Sequence, residues 1–332
     1  MLRPGPRNLI TDVPGLRVGC VEDEAVRTGV TVVVCPEAWT AAVDVRGGGP
    51  AVRETDTLRP ENSFSKAHAI CFSGGSVFGL GAADGAAIAL SARDHGLRIT
   101  AGTPAIPIVP AAALHDLANG GDKAWGLEPP YRALGMKSVA AASEDFRLGA
   151  VGAGRGAMAG VHKGGLGSAS IDLGGGLIVG ALVAANPVGT PYMVDGETFW
   201  AWPYEIDGEF GGRRPGDLPP AVEPLPDDSK LGARLKAGAN TTLALVATTA
   251  DLSTAEARRM AMMAHDGMAR AVRPAHTPFD GDVVFALASG AAPLGPDPMR
   301  AVLRTKIGAA AADCLARAIA RAVYEAARTH EA

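Results

Sequence analysis

A threonine hydroxyl is a poor nucleophile at neutral pH unless a base takes its proton. One way to supply that base is to place the threonine at a chain terminus. Its own α-amine, with a pKa of about 7.7–8.0, then titrates close to working pH. Inside a longer chain that nitrogen is an amide, so the bond before the threonine has to be broken first. The sequence carries a candidate in GANTTLALVATT, where Asn240 precedes Thr241. The Thr241 hydroxyl can attack the Asn240 carbonyl, pass through an ester and leave it to water. The β-branch of threonine restricts χ1 and helps to hold the hydroxyl in place. Asn-Thr is a common dipeptide, and it is the setting that draws attention to this one. Trp202–Lys236 is dense in Pro, Gly and charge and ends just before the junction, while an apolar run begins at it. The upstream stretch reads as a long exposed connection. Either it is a plain linker, or it is a flexible segment running into a buried strand, as a processing site needs.

The elements that must position this junction are legible as apolar runs. Val30–Cys35, Ala67–Phe72, Leu177–Ala184, Thr242–Thr248 and Val283–Leu287 read as strands, several apolar on both faces and so covered on both sides. Three helices are predicted. Ser76–His95 is Ala-rich and follows a glycine turn. A second opens at Ser253 with Glu256 three residues on, a capping box. The third covers about Ile307–Arg328 at helical spacing. Sheets with helices on their outer faces predict a layered α/β fold of the αββα kind.

Composition bounds the function. The chain has 332 residues, 47% hydrophobic and 20% charged, an ordinary globular balance. A net charge of −4 gives no reason to expect nucleic acid or an anionic membrane as partner. MLRPGPRNLITD has no apolar signal region, and no stretch reaches the roughly 20 apolar residues of a membrane helix. A soluble, cytoplasmic protein is expected. Cys20, Cys35, Cys71 and Cys314 have no CxxC or Cys/His zinc spacing and read as free thiols. No GxxxxGK[ST] loop is present, and GLGAADG lacks the context of a dinucleotide fingerprint. No cofactor and no metal are expected. The 43 glycines cluster at Gly47–Gly49, Gly74–Gly75, Gly120–Gly121, Gly164–Gly165 and Gly174–Gly176, positions read mostly as turns.

Several segments together carry a resemblance that spans nearly the whole chain. They are NLITDVPGLRVG at Asn8–Gly19, AAVDVRGGGPAVRETD at Ala41–Asp56, SGGSVFGLGAADG at Ser73–Gly85, VGAGRGAMAG at Val151–Gly160, ANPVG at Ala185–Gly189, GANTTLALVATTA at Gly238–Ala250 and HTPFDGD at His276–Asp282. In this order they resemble the N-terminal-nucleophile hydrolases that include the L-aminopeptidase/D-esterases, the β-peptidyl aminopeptidases and the nylon-oligomer (6-aminohexanoate-oligomer) hydrolases. The resemblance implies a four-layer αββα sandwich of the aminopeptidase/ornithine-acetyltransferase type. It also implies autocleavage into a large chain, residues 1–240 with a flexible 202–240 tail, and a small chain, residues 241–332. The two would form one domain and assemble as a homo-oligomer, often a tetramer. The substrate would be a small peptide or linear amide.

The same resemblance assigns residues. Thr241 matches the nucleophile and Asn240 the residue before the cut. Asn186 in ANPVG would donate to an oxyanion or hold the α-amine, worth a few kcal/mol of barrier; otherwise it is a pre-proline turn residue. Lys163 in GVHKGG aligns with a lysine of the nylon-oligomer branch and would lower the pKa of the amine; otherwise it is a surface lysine in a glycine loop. Asp280 and Asp282 in PFDGDVVF, two apart in an extended segment, would face one site; otherwise they belong to a DG turn. The rest of a calcium ligand set is missing around DGD. Ser76 and Phe78 are implied at the substrate, and Phe78 stands where the nylon-oligomer branch has tyrosine. The alternatives are an acyl transferase like the ornithine acetyltransferases, or a binding protein that has kept the fold without activity.

Overall fold

A computed structural model describes residues 3–216, 223–233 and 240–328. Among the described residues there are eleven strands: β1 (Arg17–Asp23), β2 (Thr28–Val45), β3 (Ala51–Arg53), β4 (Lys66–Ser73), β5 (Ala111–Ala113), β6 (Met158–Ala159), β7 (His162–Lys163), β8 (Gly165–Asp172), β9 (Ile178–Asn186), β10 (Thr241–Ala250) and β11 (Val283–Ala292). Four α-helices accompany them: α1 (Ala82–Ser91), α2 (Tyr131–Ala140), α3 (Thr254–Ala271) and α4 (Met299–Arg328).

Hydrogen bonding links the main strands in the order β3-β5-β4-β2-β11-β10-β9-β8, with β1 also on β2. The 18-residue β2 joins two halves. Its pairing with β4 shifts register between Val34 and Trp39, and its last part, Thr40–Val45, pairs with β11. The halves then face each other: Ile70 and Phe72 from one share a core with Leu243, Leu245 and Phe285 from the other. The rings of Phe72 and Phe285 stand 6.1 Å apart, centroid to centroid. Behind the β4 half, Val30, Val32 and Cys71 pack on Ala82 and Ala86 of α1 and Leu134 of α2. Behind the β10 half, Ala244, Val246 and Val284 pack on Met260 and Ala264 of α3 and Leu315 and Ile319 of α4. Helices, sheet, sheet, helices: the layers are those of an αββα sandwich.

The alternation of β10 explains its sequence. All ten residues of TTLALVATTA are buried. Leu243, Leu245 and Ala247 point between the sheets, and Ala244, Val246 and Ala250 toward α3 and α4. Each fully buried Leu or Val contributes roughly 1.5–3 kcal/mol, so the first residue of this strand is firmly anchored. Helix α3 starts as predicted. Ser253 Oγ accepts the Glu256 N–H at 3.3 Å and Glu256 Oε2 accepts the Ser253 N–H at 2.9 Å.

Other expectations need correction. Ser76–Gly81 is a 3-10 turn and only Ala82–Ser91 is α-helical, because the glycines at 79 and 81 weaken the helix there. The last helix begins at Met299 rather than near Ile307. Trp202–Lys236 is not a wholly exposed connection. Phe210 joins the helix-side core, and Ser229 and Lys230 are buried. Glu209 reaches the buried guanidinium of Arg317 at 2.5 Å, since a buried charge demands a partner. Residues 217–222 and 234–236 of this stretch, and 237–239 after it with Gly238 and Ala239 of the GANTT motif, lie outside the described residues.

Candidate active site

The antiparallel register of β9 on β10 sets Asn186 directly opposite Thr241. Thr241 is 4% exposed and Asn240 3%, yet both line a small cavity of about 180 Å³ together with Gly49, Ala51, Ser76, Ala113, His115, Pro278 and Phe279. The Thr241 hydroxyl donates to the carbonyl oxygen of Asn240. The backbone N–H of Gly281 donates to the same oxygen at 3.1 Å. The bond before Thr241 therefore has a hydroxyl beside its carbonyl and a backbone donor on that carbonyl's oxygen, the two components an acyl shift needs.

Asp280 and Asp282 flank Gly281 in the turn before β11, not in the strand itself. Both are buried. Asp280 accepts the Val188 N–H at 3.0 Å through one oxygen, and the Thr277 N–H and hydroxyl at 2.9 and 2.6 Å through the other. Asp282 accepts the Thr242 N–H at 2.8 Å, and the His276 N–H and Nδ1 at 3.0 and 2.8 Å. Asp282 thus braces the backbone just after Thr241, and Asp280 the backbone just past Asn186 on the neighbouring strand, while neither is hydrogen-bonded to the Thr241 hydroxyl. Burial, with the charge of Asp282 added, pushes the Asp280 carboxyl up to about 6. The glycine cluster after β2 serves the same turn. Gly48 and Gly49 N–H groups bond to Thr277 and Asp280, and a Cβ on Gly47 would stand 2.2 Å from the Asp282 nitrogen. Only a residue without a side chain fits there.

The Asn186 amide is fully engaged. Its Oδ1 accepts the Met158 N–H at 2.9 Å and Lys230 Nζ at 3.0 Å, and its Nδ2 donates to the His115 carbonyl at 3.2 Å. Ser76 lines the cavity with a left-handed φ of 54°, a conformation that costs a non-glycine residue energy and clusters at functional sites. Two other residues are not among the residues lining this cavity. Phe78 is about half exposed and packs edge-on against Trp125 at 5.8 Å, outside the cavity lining; Phe279 is the aromatic ring at the mouth. Lys163 lines a separate cavity of about 580 Å³, with Glu22, Arg147 and Arg155 among its walls. The lysine buried beside Asn186 is Lys230.

His115, Lys230, His276 and Gly281 were not singled out from the sequence. His276 and Gly281 stand inside the HTPFDGD motif; Lys230 sits in a stretch whose composition pointed to solvent, and His115 carries no local pattern.

Residues 8–332 match Peptidase family S58. The chain belongs to that family. An uncharacterized aminopeptidase of Mycobacterium tuberculosis (strain ATCC 25618 / H37Rv) is 43% identical to it over 335 residues, spanning 96% of this chain and 94% of that protein. A 6-aminohexanoate-oligomer endohydrolase of Kocuria sp. (strain KY2) is 30% identical over 335 residues, spanning 98% and 87%. Among solved structures, a Burkholderia sp. beta-aminopeptidase superposes with a TM-score of 0.68 at 25% identity, over 97% of this chain and 88% of that one. The L-aminopeptidase D-Ala-esterase/amidase from Ochrobactrum anthropi, described as a variant of the Ntn hydrolase fold, gives 0.66 at 19% identity over 98% and 88%, a likeness of fold. The S58 chain described here is thus a hydrolase of amide bonds.

Proposed function

We propose that this peptidase cuts its own Asn240–Thr241 bond and then hydrolyses small amides with Thr241 as an N-terminal nucleophile. The observation that carries this reading is the shared Asn240 oxygen, which accepts both the Thr241 hydroxyl and the Gly281 N–H. In the first step the hydroxyl oxygen bonds to the Asn240 carbonyl carbon and the C–N bond opens. The hydroxyl proton goes to the departing nitrogen, which becomes the free α-amine. Water then splits the ester, leaving a carboxylate on Asn240 and the hydroxyl back on Thr241. In turnover the α-amine accepts the hydroxyl proton, the substrate carbonyl occupies the place of the Asn240 carbonyl, and the Gly281 N–H stabilises the developing oxyanion.

The cavity favours a compact acyl group, because its lining is small and mostly uncharged: Gly49, Ala51, Ala113 and Ser76 with one ring, Phe279, at the mouth. Short peptides with a free amino terminus and linear amides such as aminohexanoate oligomers fit this reading and agree with the names of the relatives. Intact-mass analysis and N-terminal sequencing of purified protein test it. Residues 1–240 of a 33.7 kDa chain of 332 residues correspond to about 24 kDa, and residues 241–332 to about 9 kDa. The small chain should begin at Thr241, and Thr241→Ala should stay whole. A Thr241→Ala chain that is still cut there overturns self-cleavage. A cytoplasmic homotetramer, as the family resemblance implies, belongs to the same proposal and is checked by light scattering and fractionation.

A further inference from the structure

Lys230 is the only buried lysine among the described residues, at 5% exposure. Removing an ammonium from water is expensive, so a buried lysine is retained only where partners hold it. Its Nζ donates to Asn186 Oδ1 at 3.0 Å and to the Asn186 carbonyl at 3.2 Å. Burial, against the smaller opposing pull of the Asp280 charge, brings the amine down to about 7. The side chain arrives on a docked backbone: the Lys230 N–H donates to the Val188 carbonyl at 2.9 Å, and the neighbouring Asp228 carbonyl accepts the Val161 N–H at 2.9 Å.

These contacts have a consequence for Asn186. Its Oδ1 faces two donors, Lys230 Nζ and the Met158 N–H, while its Nδ2 faces the His115 carbonyl. A flipped amide would set donors against donors on one side and leave two oxygens facing on the other. The orientation beside Thr241 is therefore fixed, and Lys230 supplies one of the groups that fix it.

We propose that Lys230 is a positioning residue for amide hydrolysis, holding the Asn186 amide in one orientation opposite Thr241. The inference rests on the reading of Thr241 as nucleophile. It also requires the end of the large chain to stay docked after cleavage, since Lys230 lies on the upstream side of the cut.

The test compares matured wild type, Lys230→Ala and Lys230→Met on one small amide. Sequencing first establishes that the wild-type small chain begins at Thr241; an active wild type with no such cut counts against the nucleophile reading, not against Lys230. For cut and folded variants, kcat is expected to fall about 100-fold with KM changed by less than about threefold. Ethylamine added to Lys230→Ala should restore part of kcat in a saturable way. It should not do so in Lys230→Met, whose side chain fills the vacated channel. A cut, folded Lys230→Ala with wild-type kcat overturns the proposal. So does an equal loss in both variants without amine rescue, or failure of both to fold, each of which would assign the lysine to packing of the tail.

Discussion

The backbone N–H of Gly281 donates to the carbonyl oxygen of Asn240 at 3.1 Å. A Cβ added to Gly281 would stand 2.6 Å from the Thr241 hydroxyl oxygen, well inside contact distance. Gly281→Ala keeps the donor but forces the hydroxyl away from the carbonyl it is to attack. Conversion to two chains should slow by about 10²-fold or more, the scale on which displaced catalytic groups cost rate. A time course of the 33.7 kDa band on a denaturing gel reads this directly. Cleavage at the wild-type rate would show that the hydroxyl has room to spare.

Asp282 accepts the Thr242 N–H and both donors of His276, and a single amide oxygen cannot replace two carboxylate oxygens in that arrangement. In Asp282→Asn an NH2 group meets a donor. A loss of about 10²-fold in kcat/KM is expected, with a stability cost of about 1–3 kcal/mol for the mismatched buried group. Asp280→Asn faces the same problem at Val188 and Thr277. Unchanged rates and melting temperatures in both variants would reduce the pair to a turn.

The αββα layers follow from β10 and β11, whose residues are apolar on both faces and so demand cover on both sides. The capping box at Ser253 was legible for the same reason: it is local chemistry. Helix α2 was missed because YRALGMKSVA mixes Arg132, Lys137 and Ser138 with a glycine and has little apolar stripe; its burial comes from contact with α1 and β2, which no local window contains. The site divides similarly. The opposition of Asn186 and Thr241 follows from strand register, while the resemblance pointed to Lys163 and nothing local singled out Lys230, which sits among prolines and aspartates in PLPDDSKLG. What separates them is which one the fold buries, and that depends on Val188 and Asn186, remote in sequence from Lys230.

Alignment alone would put Lys163 beside the Thr241 amine and lower its pKa. Lys163 lines the larger cavity and not the one around Thr241, while its backbone pairs with Met158, whose N–H donates to Asn186; with its side chain in the larger cavity, Lys163→Met should leave the pH dependence of kcat/KM unchanged. The profile itself should rise in two steps and be opposed where Lys230, brought down to about 7 chiefly by burial, gives up its proton. One is set by the Asp280 carboxyl, pushed up to about 6, whose ionised form balances the Lys230 charge. The other is set by the α-amine near its ordinary value of about 7.7–8.0. The two midpoints belong to the coupled site as a whole. A midpoint displaced by more than about half a unit in matured Lys163→Met would return that lysine to the site.

His265 lies behind the DGD turn, 1% exposed. Its Nε2 stands 3.1 Å from the Asp44 carbonyl, its ring edge meets His276 at 4.8 Å, and its Nδ1 is buried with no hydrogen-bond partner among the described residues. Burial, first, and then the charges of His276 and Arg46 bring its pKa down to about 4, against the opposing pull of Asp44. The sign of the effect on stability follows. Between about pH 6.5 and 4 the unfolded chain binds a proton here that the folded chain does not. The contribution is complete above pH 6.5 and is lost as pH falls toward 4. His68, also near 4 through burial, adds to this loss. Asp280 works the other way, its contribution being complete below its ordinary value of 3.8 and lost as pH rises through 6. A substitution is therefore needed to assign the slope. Glutamine can still donate to the Asp44 carbonyl and does not titrate. His265→Gln should start less stable at pH 7.5, having lost the ring's packing, and the gap to wild type should close by about 1–3 kcal/mol between pH 7 and 4.5. Calorimetric melting at four pH values across that range gives the two curves. Parallel curves would mean that His265 does not titrate differently in the folded and unfolded chains, and the acid loss of stability would pass to His68 and the carboxylates.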